Sequence, residues 1–156
     1  MKKYIILCSV VIICLIIIII NVFKIKPSGE VYCVDNRYIN DIDIKTEYKI
    51  YYDDMYVSKL ISKEEVTCND DDILIEYRDK LKENYSLYND VKYYNNSVRL
   101  KNNTLISITE INYKKIDTKK LISIDSSNRR LIKNDKIYIK DIYKEFKNSG
   151  AKCKYK

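Results

Sequence analysis

The N-terminal part of the chain contains one long, almost uninterrupted apolar run. Residues 4–23 include only two clearly polar side chains, Ser9 and Asn21, and lysines flank the run on both sides. A helix of this length rises about 30 Å, which is the hydrocarbon thickness of a bilayer. The pattern predicts a transmembrane anchor over residues 1–26, with the lipid bilayer as the partner of residues 4–23.

The alternatives to a membrane span are a cleaved signal peptide, a lipidated cysteine and a buried helix of a soluble domain. A cleavable signal peptide has an apolar region of about 7–15 residues followed by small residues, whereas this run ends in the bulky string IIIIINVF. Lipidation at Cys14 lacks the preceding small residue, and a buried core helix does not need so many isoleucines. The pattern favours an uncleaved span. Its short basic head predicts a cytoplasmic N-terminus and an extracytoplasmic domain, although Lys24 and Lys26 nearly balance that head.

After a linker at residues 27–29, begun by Pro27, the pattern changes to short runs rich in β-branched and aromatic residues. The string GEVYCVDNRY predicts a strand. Two further pairs of runs predict hairpins, one turning at Asp53-Asp54 and one turning at residues 101–103. We expect Val98 and Leu100 to face the apolar residues of the strand that follows the second turn.

Between and after these hairpins the apolar spacing becomes helical. A helix preceded by capping residues at 69–72 has one apolar face, formed by Leu74, Tyr77, Leu81, Tyr85 and Tyr88. A short helix is expected near Thr118–Ile122, and a last helix ends at Gly150. The order of elements predicts an α+β fold for residues 30–156, in which an antiparallel sheet of hairpins has its helices packed on one side.

Composition removes several classes of function. The chain carries 29 basic and 22 acidic side chains, and four of the basic ones precede residue 27, so the domain has a mixed surface that does not predict nucleic-acid binding. No histidine is present, which excludes Ser-His-Asp catalysis and imidazole metal sites. We therefore expect no cofactor and no enzyme activity. A hydrolase acting through carboxylates is the alternative.

Three of the five cysteines lie in the predicted domain: Cys33, Cys68 and Cys153. In an exported domain a Cys33–Cys153 disulfide would close a long loop and hold the C-terminal tail. The other possibilities are a Cys33–Cys68 bond and three free thiols. A redox or nucleophilic role is not expected, because there is no CxxC pair and no companion base.

Two polar or aromatic clusters invite a functional interpretation. Residues 70–72 are three aspartates in a row, but they lack the spacing and glycine of a calcium loop and are explained by the start of a helix. Tyrosines are abundant around the first hairpin, and half-buried tyrosines commonly cover a sheet. If the domain has a binding surface, the tyrosines that we expect to form it are Tyr48, Tyr51, Tyr52, Tyr56, Tyr93 and Tyr94.

Several strings resemble the YehR-like (DUF1307) group of small bacterial envelope lipoproteins. They are TEYKIYY, DDDILIEYRDKLKENY, TLISITEINYKKIDTKKLI and the closing GAKCKYK. The resemblance implies a small exported α+β domain tethered at the membrane, without an established activity. This chain departs from the group in having no evident lipobox.

Together these patterns predict a membrane-anchored extracytoplasmic protein of the bacterial cell envelope. We expect a non-enzymatic domain that binds or scaffolds an envelope protein or peptide. The alternatives are an envelope hydrolase and an anchored interaction domain that faces the cytoplasm.

Overall fold

The computed structural model describes residues 28–156. The predicted anchor at residues 1–26 and the linker residue Pro27 lie outside the described residues. Within residues 28–156, no helix combines the length and the apolar character that crossing a bilayer requires.

The described chain forms a six-stranded antiparallel sheet, three α-helices and a small second hairpin, which confirms the predicted α+β class. The elements are β1 Ser28–Ile39, β2 Ile42–Asp53, β3 Tyr56–Thr67, α1 Asp71–Ser86, β4 Tyr94–Lys101, β5 Thr104–Asn112, α2 Thr118–Ile124, β6 Ile132–Lys133, β7 Lys136–Ile137, α3 Ile139–Asn148 and β8 Lys152–Tyr155. A 3₁₀ turn at Ser126–Arg130 connects α2 to β6.

The strand order in the large sheet is β4-β5-β3-β2-β1-β8. Strands β1, β2 and β3 are joined by two tight turns, at Asn40-Asp41 and Asp54-Met55, whose four residues all have positive φ. Three of the four are asparagine or aspartate, which tolerate this conformation, and the conformation matches the twist of the flanking strands. The hairpin predicted to turn at Asp53-Asp54 is the β2–β3 pair, and it turns one residue later, at Asp54-Met55.

All three helices contact the same face of the sheet, which we call the covered face. On it, Tyr48 of β2 stacks on Phe146 of α3, and Glu64 of β3 accepts a hydrogen bond from Tyr77 of α1. Leu121 of α2 lies in the main apolar cluster. A second cluster surrounds Leu74, the one fully buried residue of α1. The prediction that the helices pack on one side is thus met.

Two features differ from the sequence-based expectations. Ser28 and Gly29, expected in the linker, are the first residues of β1, where they pair with Asp53 and Tyr52. The C-terminal tail is also a strand, because β8 pairs with β1 and extends the sheet by one edge. The chain turns into β8 at Gly150, whose φ is +100°.

Candidate functional site

A disulfide joins Cys33 of β1 to Cys153 of β8, two residues that lie directly opposite each other in the sheet. It closes a loop with a sequence separation of 120 residues. Cys68 is buried, and among the described cysteines it is the free one. The predicted pairing is therefore present in the structure, and its position on the covered face makes it part of the core rather than an exposed redox site.

Three of the six tyrosines predicted to form a binding surface belong to the core. Tyr48 stacks on Phe146 with ring centroids 4.2 Å apart, and Tyr94 stacks on Tyr88 at 4.4 Å. Tyr52 is 8% exposed. Burial raises the pKa of both Tyr48 and Tyr94, as expected for phenols inside an apolar layer.

The other three tyrosines lie in separate places. Tyr51 is on the opposite face of the sheet, Tyr56 packs against Tyr138 at one end of the sheet, and Tyr93 is 46% exposed beside Lys115. The six tyrosines do not form one continuous surface, which corrects that part of the prediction. The reason is the two-residue period of a strand, which sends neighbouring side chains to opposite faces.

The side of the sheet opposite the helices, which we call the open face, is a ladder of charged, aromatic and apolar side chains. Strand register places on it Glu30, Tyr32, Val34 and Asn36 of β1; Asp43, Lys45, Glu47, Lys49 and Tyr51 of β2; Lys59, Ile61, Lys63 and Glu65 of β3; Asn95, Ser97, Arg99 and Lys101 of β4; Ile106, Ile108 and Glu110 of β5; and Lys152 and Lys154 of β8. No element within residues 28–156 packs over this face.

Each glutamate of the open face is already paired with a lysine. The pairs are Lys45–Glu47 at 2.7 Å, Lys63–Glu65 at 2.6 Å, Lys59–Glu110 at 2.8 Å and Lys156–Glu30 at 3.0 Å. The Lys45 ammonium holds the pKa of Glu47 below its usual value, and a hydrogen bond from Tyr32 adds to this effect. A neighbouring lysine therefore offsets the charge of each of these four glutamates.

The remaining charges on the open face are mostly positive. Five cations of this face form no ion pair with another described residue, namely Lys49, Arg99, Lys101, Lys152 and Lys154. One carboxylate of the open face, Asp43, is also without an ion pair among the described residues, and it lies toward the β1–β2 turn. The open face therefore has an excess of positive charge, spread from the β4 edge to the β8 edge.

A shallow depression of about 180 Å³ lies near the middle of the open face. Ile61 and Ile108 form its apolar part, and Ile108 is 40% exposed. Polar groups surround these two side chains: Glu47, Lys49, Lys63 and the phenol of Tyr51. A depression of this size is smaller than a typical small-molecule site and suits one side chain or one sugar unit of a larger partner.

A second concavity, of about 360 Å³, lies at the end of the sheet where β1 begins. Three carboxylates line it, Asp53, Asp54 and Asp135. Two of them have other roles, because Asp53 pairs with Lys114 and Asp135 accepts a 2.6 Å hydrogen bond from Thr118. Across residues 28–156, no group of three or more histidine, cysteine or acidic side chains is arranged to hold a metal ion.

The open face could have been found from sequence by its alternation. Along β2 the even-numbered residues are apolar or buried, as in Ile44, Thr46 and Ile50. The odd-numbered residues between them are charged, as in Lys45, Glu47 and Lys49. Strands β3 and β5 alternate less clearly, because Ile61, Ile106 and Ile108 are apolar although they lie on the open face. Because these three residues are apolar, the sequence pattern did not predict an open face or a depression near its middle.

Comparison with protein-family models finds no match, and comparison with curated protein sequences finds none either. Solved structures do match the fold. An NMR structure of a protein from Streptococcus pneumoniae TIGR4 aligns with a TM-score of 0.56 and 13% identity, covering 84% of this chain and 87% of that chain. The NMR structure of the Escherichia coli YehR protein aligns with a TM-score of 0.56 and 16% identity, covering 81% of this chain and 91% of that one. The chain therefore has the fold of these two proteins.

Proposed function

We propose that this chain is a membrane-tethered, extracytoplasmic binding protein of the bacterial cell envelope, and that it belongs to a YehR-like group. Its open face binds an acidic envelope component. The observation that carries the proposal is the five cations without a carboxylate partner on a sheet face that no described element covers. One of them, Lys49, lines the depression near the middle of that face.

Tethering and export are supported by two independent features. The apolar run at residues 4–23 is long enough to span a bilayer. The Cys33–Cys153 disulfide is of a kind that persists in oxidising compartments and is rare in the cytosol. The fold likeness to the E. coli YehR protein agrees with the resemblance in the strings of the sequence.

Binding rather than catalysis is supported by the state of the acidic groups. Where a carboxyl pKa is displaced within the described residues, it is displaced downward, by an ion pair or hydrogen bond at the surface, as in Glu47, Glu76 and Asp141. A general acid of a carboxylate-dependent hydrolase needs the opposite displacement. The open face instead offers what a polyanion requires, which is spaced cations that outnumber the carboxylates on the same face.

Binding to an immobilised acidic polymer tests this proposal. Full-length protein in mild detergent is applied to surfaces of poly-L-glutamate at low and high salt. We expect salt-sensitive binding, because exposed charges are screened at high ionic strength. The double variant Lys49→Glu/Lys154→Glu reverses two cations of the open face and should weaken binding at least tenfold.

The matched control reverses two exposed lysines on the helical side, Lys82→Glu/Lys144→Glu, and changes the net charge by the same amount. Binding by this control should stay within about threefold of the parent protein. Equal losses in the two double variants would show a general charge effect and refute a site on the open face. Absence of binding by the parent protein would also refute it.

A further inference from the structure

The end of the domain at which β1 begins carries a compact aromatic and apolar patch. The β2–β3 turn presents Met55, which is 47% exposed. Beside it the rings of Tyr56 and Tyr138 pack with centroids 4.9 Å apart, and their hydroxyl groups lie 3.5 Å from each other. Together with the nearby lysines Lys136 and Lys140, these three residues form what we call the docking patch.

One lysine lies over each of these rings. Lys136 Nζ lies 4.4 Å from the centroid of the Tyr56 ring, and Lys140 Nζ lies 5.5 Å from the centroid of the Tyr138 ring. Their ammonium groups therefore lie against the aromatic surface. Tyrosine and lysine each have an apolar part and a polar tip, and such side chains commonly lie at the headgroup level of a membrane.

The patch is held rigidly to the rest of the domain. The Ile139 amide at the start of α3 donates a 2.9 Å hydrogen bond to the Met55 carbonyl oxygen, and a β-bridge joins Tyr56 to Tyr138. The β2–β3 turn cannot swing away from α3 without breaking these contacts. Met55 is therefore presented from a turn whose position relative to α3 is fixed.

Chain length places this end of the domain next to the bilayer, provided that residues 4–23 span it as proposed above. Five residue steps separate Phe23 from Ser28, and a fully extended chain covers at most about 3.6 Å per residue, or roughly 18 Å. The headgroup layer takes up about 5–8 Å of that distance. Ser28 pairs with Asp53, and Met55 follows two residues later, so the docking patch lies at the membrane-proximal end.

We propose that the docking patch rests on the headgroup layer of the phospholipid bilayer that holds the anchor. Met55 and the two tyrosine rings enter the interface, and the two lysines contact lipid phosphates. Asp53, Asp54 and Asp135 lie near the patch and offset much of its positive charge. Docking consequently depends mainly on apolar and aromatic contact and also occurs on zwitterionic lipid. It fixes the orientation of the open face relative to the membrane.

Tryptophan fluorescence tests this inference directly, because the chain contains no tryptophan. Tyr56→Trp and, separately, Met55→Trp place a single reporter in the docking patch. Ile39→Trp places one at the opposite end of β1, on a residue with a similar exposure of 48%. Each full-length variant is reconstituted into phosphatidylcholine vesicles with and without lipids brominated near the top of the acyl chains.

We expect the brominated lipid to quench the emission of Trp at position 55 or 56 by at least twofold and to leave Trp at position 39 within a few per cent of its unquenched intensity. Vesicle flotation in the same samples reports on the anchor. Failure to float with the vesicles would refute the tether itself. Flotation without quenching at positions 55 and 56, or with equal quenching at position 39, would leave the tether standing and overturn the docking.

Discussion

Cys33 and Cys153 are cross-strand partners on the covered face, and the bond between them fastens the edge strand β8 to β1. Strand β8 has only four residues, so it forms few hydrogen bonds of its own. The disulfide therefore makes a short C-terminal segment a permanent part of the sheet.

Removal of this bond should cost much of the stability of the domain. For Cys153→Ser we expect the free energy of unfolding to fall by about 3–5 kcal/mol, because the unfolded chain loses a constraint over a loop of more than 100 residues. Urea unfolding of the full-length protein in detergent, followed by far-UV circular dichroism, measures the change.

The matched control is Cys68→Ala, which leaves the disulfide in place and removes one buried thiol. Reduction should raise the mass of both the parent and this control by two hydrogens. A loss of less than about 1 kcal/mol in Cys153→Ser would contradict a structural role for the bond.

An isoleucine on each face of β5 should differ in how much its replacement by alanine destabilises the domain. Ile111 is 8% exposed on the covered face, and Ile108 is 40% exposed on the open face. Ile111→Ala should lower the free energy of unfolding by about 2–4 kcal/mol, since it leaves a cavity in the core. Ile108→Ala should change it by less than about 1 kcal/mol. Urea midpoints of the two variants check the assignment of faces, and similar losses would contradict it.

Position 150 favours glycine because of its backbone conformation and not because space is short. At φ +100° a side chain is strained, yet an added Cβ would meet no atom within 4 Å. The Gly150 and Ala151 amides close the end of α3 by hydrogen bonds to Lys147 and Phe146 and direct the chain into β8. We expect Gly150→Ala to cost about 1–2 kcal/mol in thermal or urea unfolding.

The matched control for this change is Ser149→Ala, one residue earlier, where the φ of −78° suits any residue. This control also removes the side-chain hydrogen bond to Phe146, so a loss of up to about 1 kcal/mol is expected there. A Gly150→Ala protein as stable as its parent would show that the conformation is not needed.

Alkaline pH should destabilise the domain through its buried phenols. Burial raises the pKa of Tyr113 to about 12, above its ordinary value of 10. The unfolded chain therefore loses the Tyr113 proton at lower pH than the folded chain does, and the free energy of unfolding falls as the pH rises from 10 toward 12. The contribution of Tyr113 to this fall is on the order of 2 kcal/mol.

Tyr113→Phe keeps the ring and removes the titrating group. Its unfolding free energy should decline less steeply across the same pH range, although Tyr77, whose pKa burial raises to about 12, and Tyr94 still contribute. Parallel urea titrations at pH 8, 10 and 11 compare the two proteins. Identical slopes would contradict the assignment to Tyr113.

The parts of the fold that sequence predicts well are those with a strong local period. Leu74, Tyr77, Leu81 and Tyr85 recur at helical spacing, and α1 contains all four. The two hairpins follow from β-branched runs about turn residues. Strand β8 could not be predicted, because a four-residue segment with two inward side chains has no recognisable period and pairs with a strand far away in the chain.

The candidate site was predicted less well than the fold. Tyr51 and Tyr52 are neighbours in sequence and lie on opposite faces, so a cluster of tyrosines along the chain does not become a cluster in space. Strand order was also not predictable, and it is the order that brings Lys49 and Lys154 onto the same row of the open face.

Site-directed labelling of intact cells shows on which side of the membrane the anchor holds this domain. Two full-length variants are compared, Glu76→Cys on the exposed side of α1 and Lys3→Cys before the apolar run. A membrane-impermeant maleimide should label position 76 in intact bacterial cells and position 3 only after lysis. Labelling of position 76 only after lysis, with position 3 accessible from outside, would show that the anchor has the opposite orientation and that the domain faces the cytoplasm.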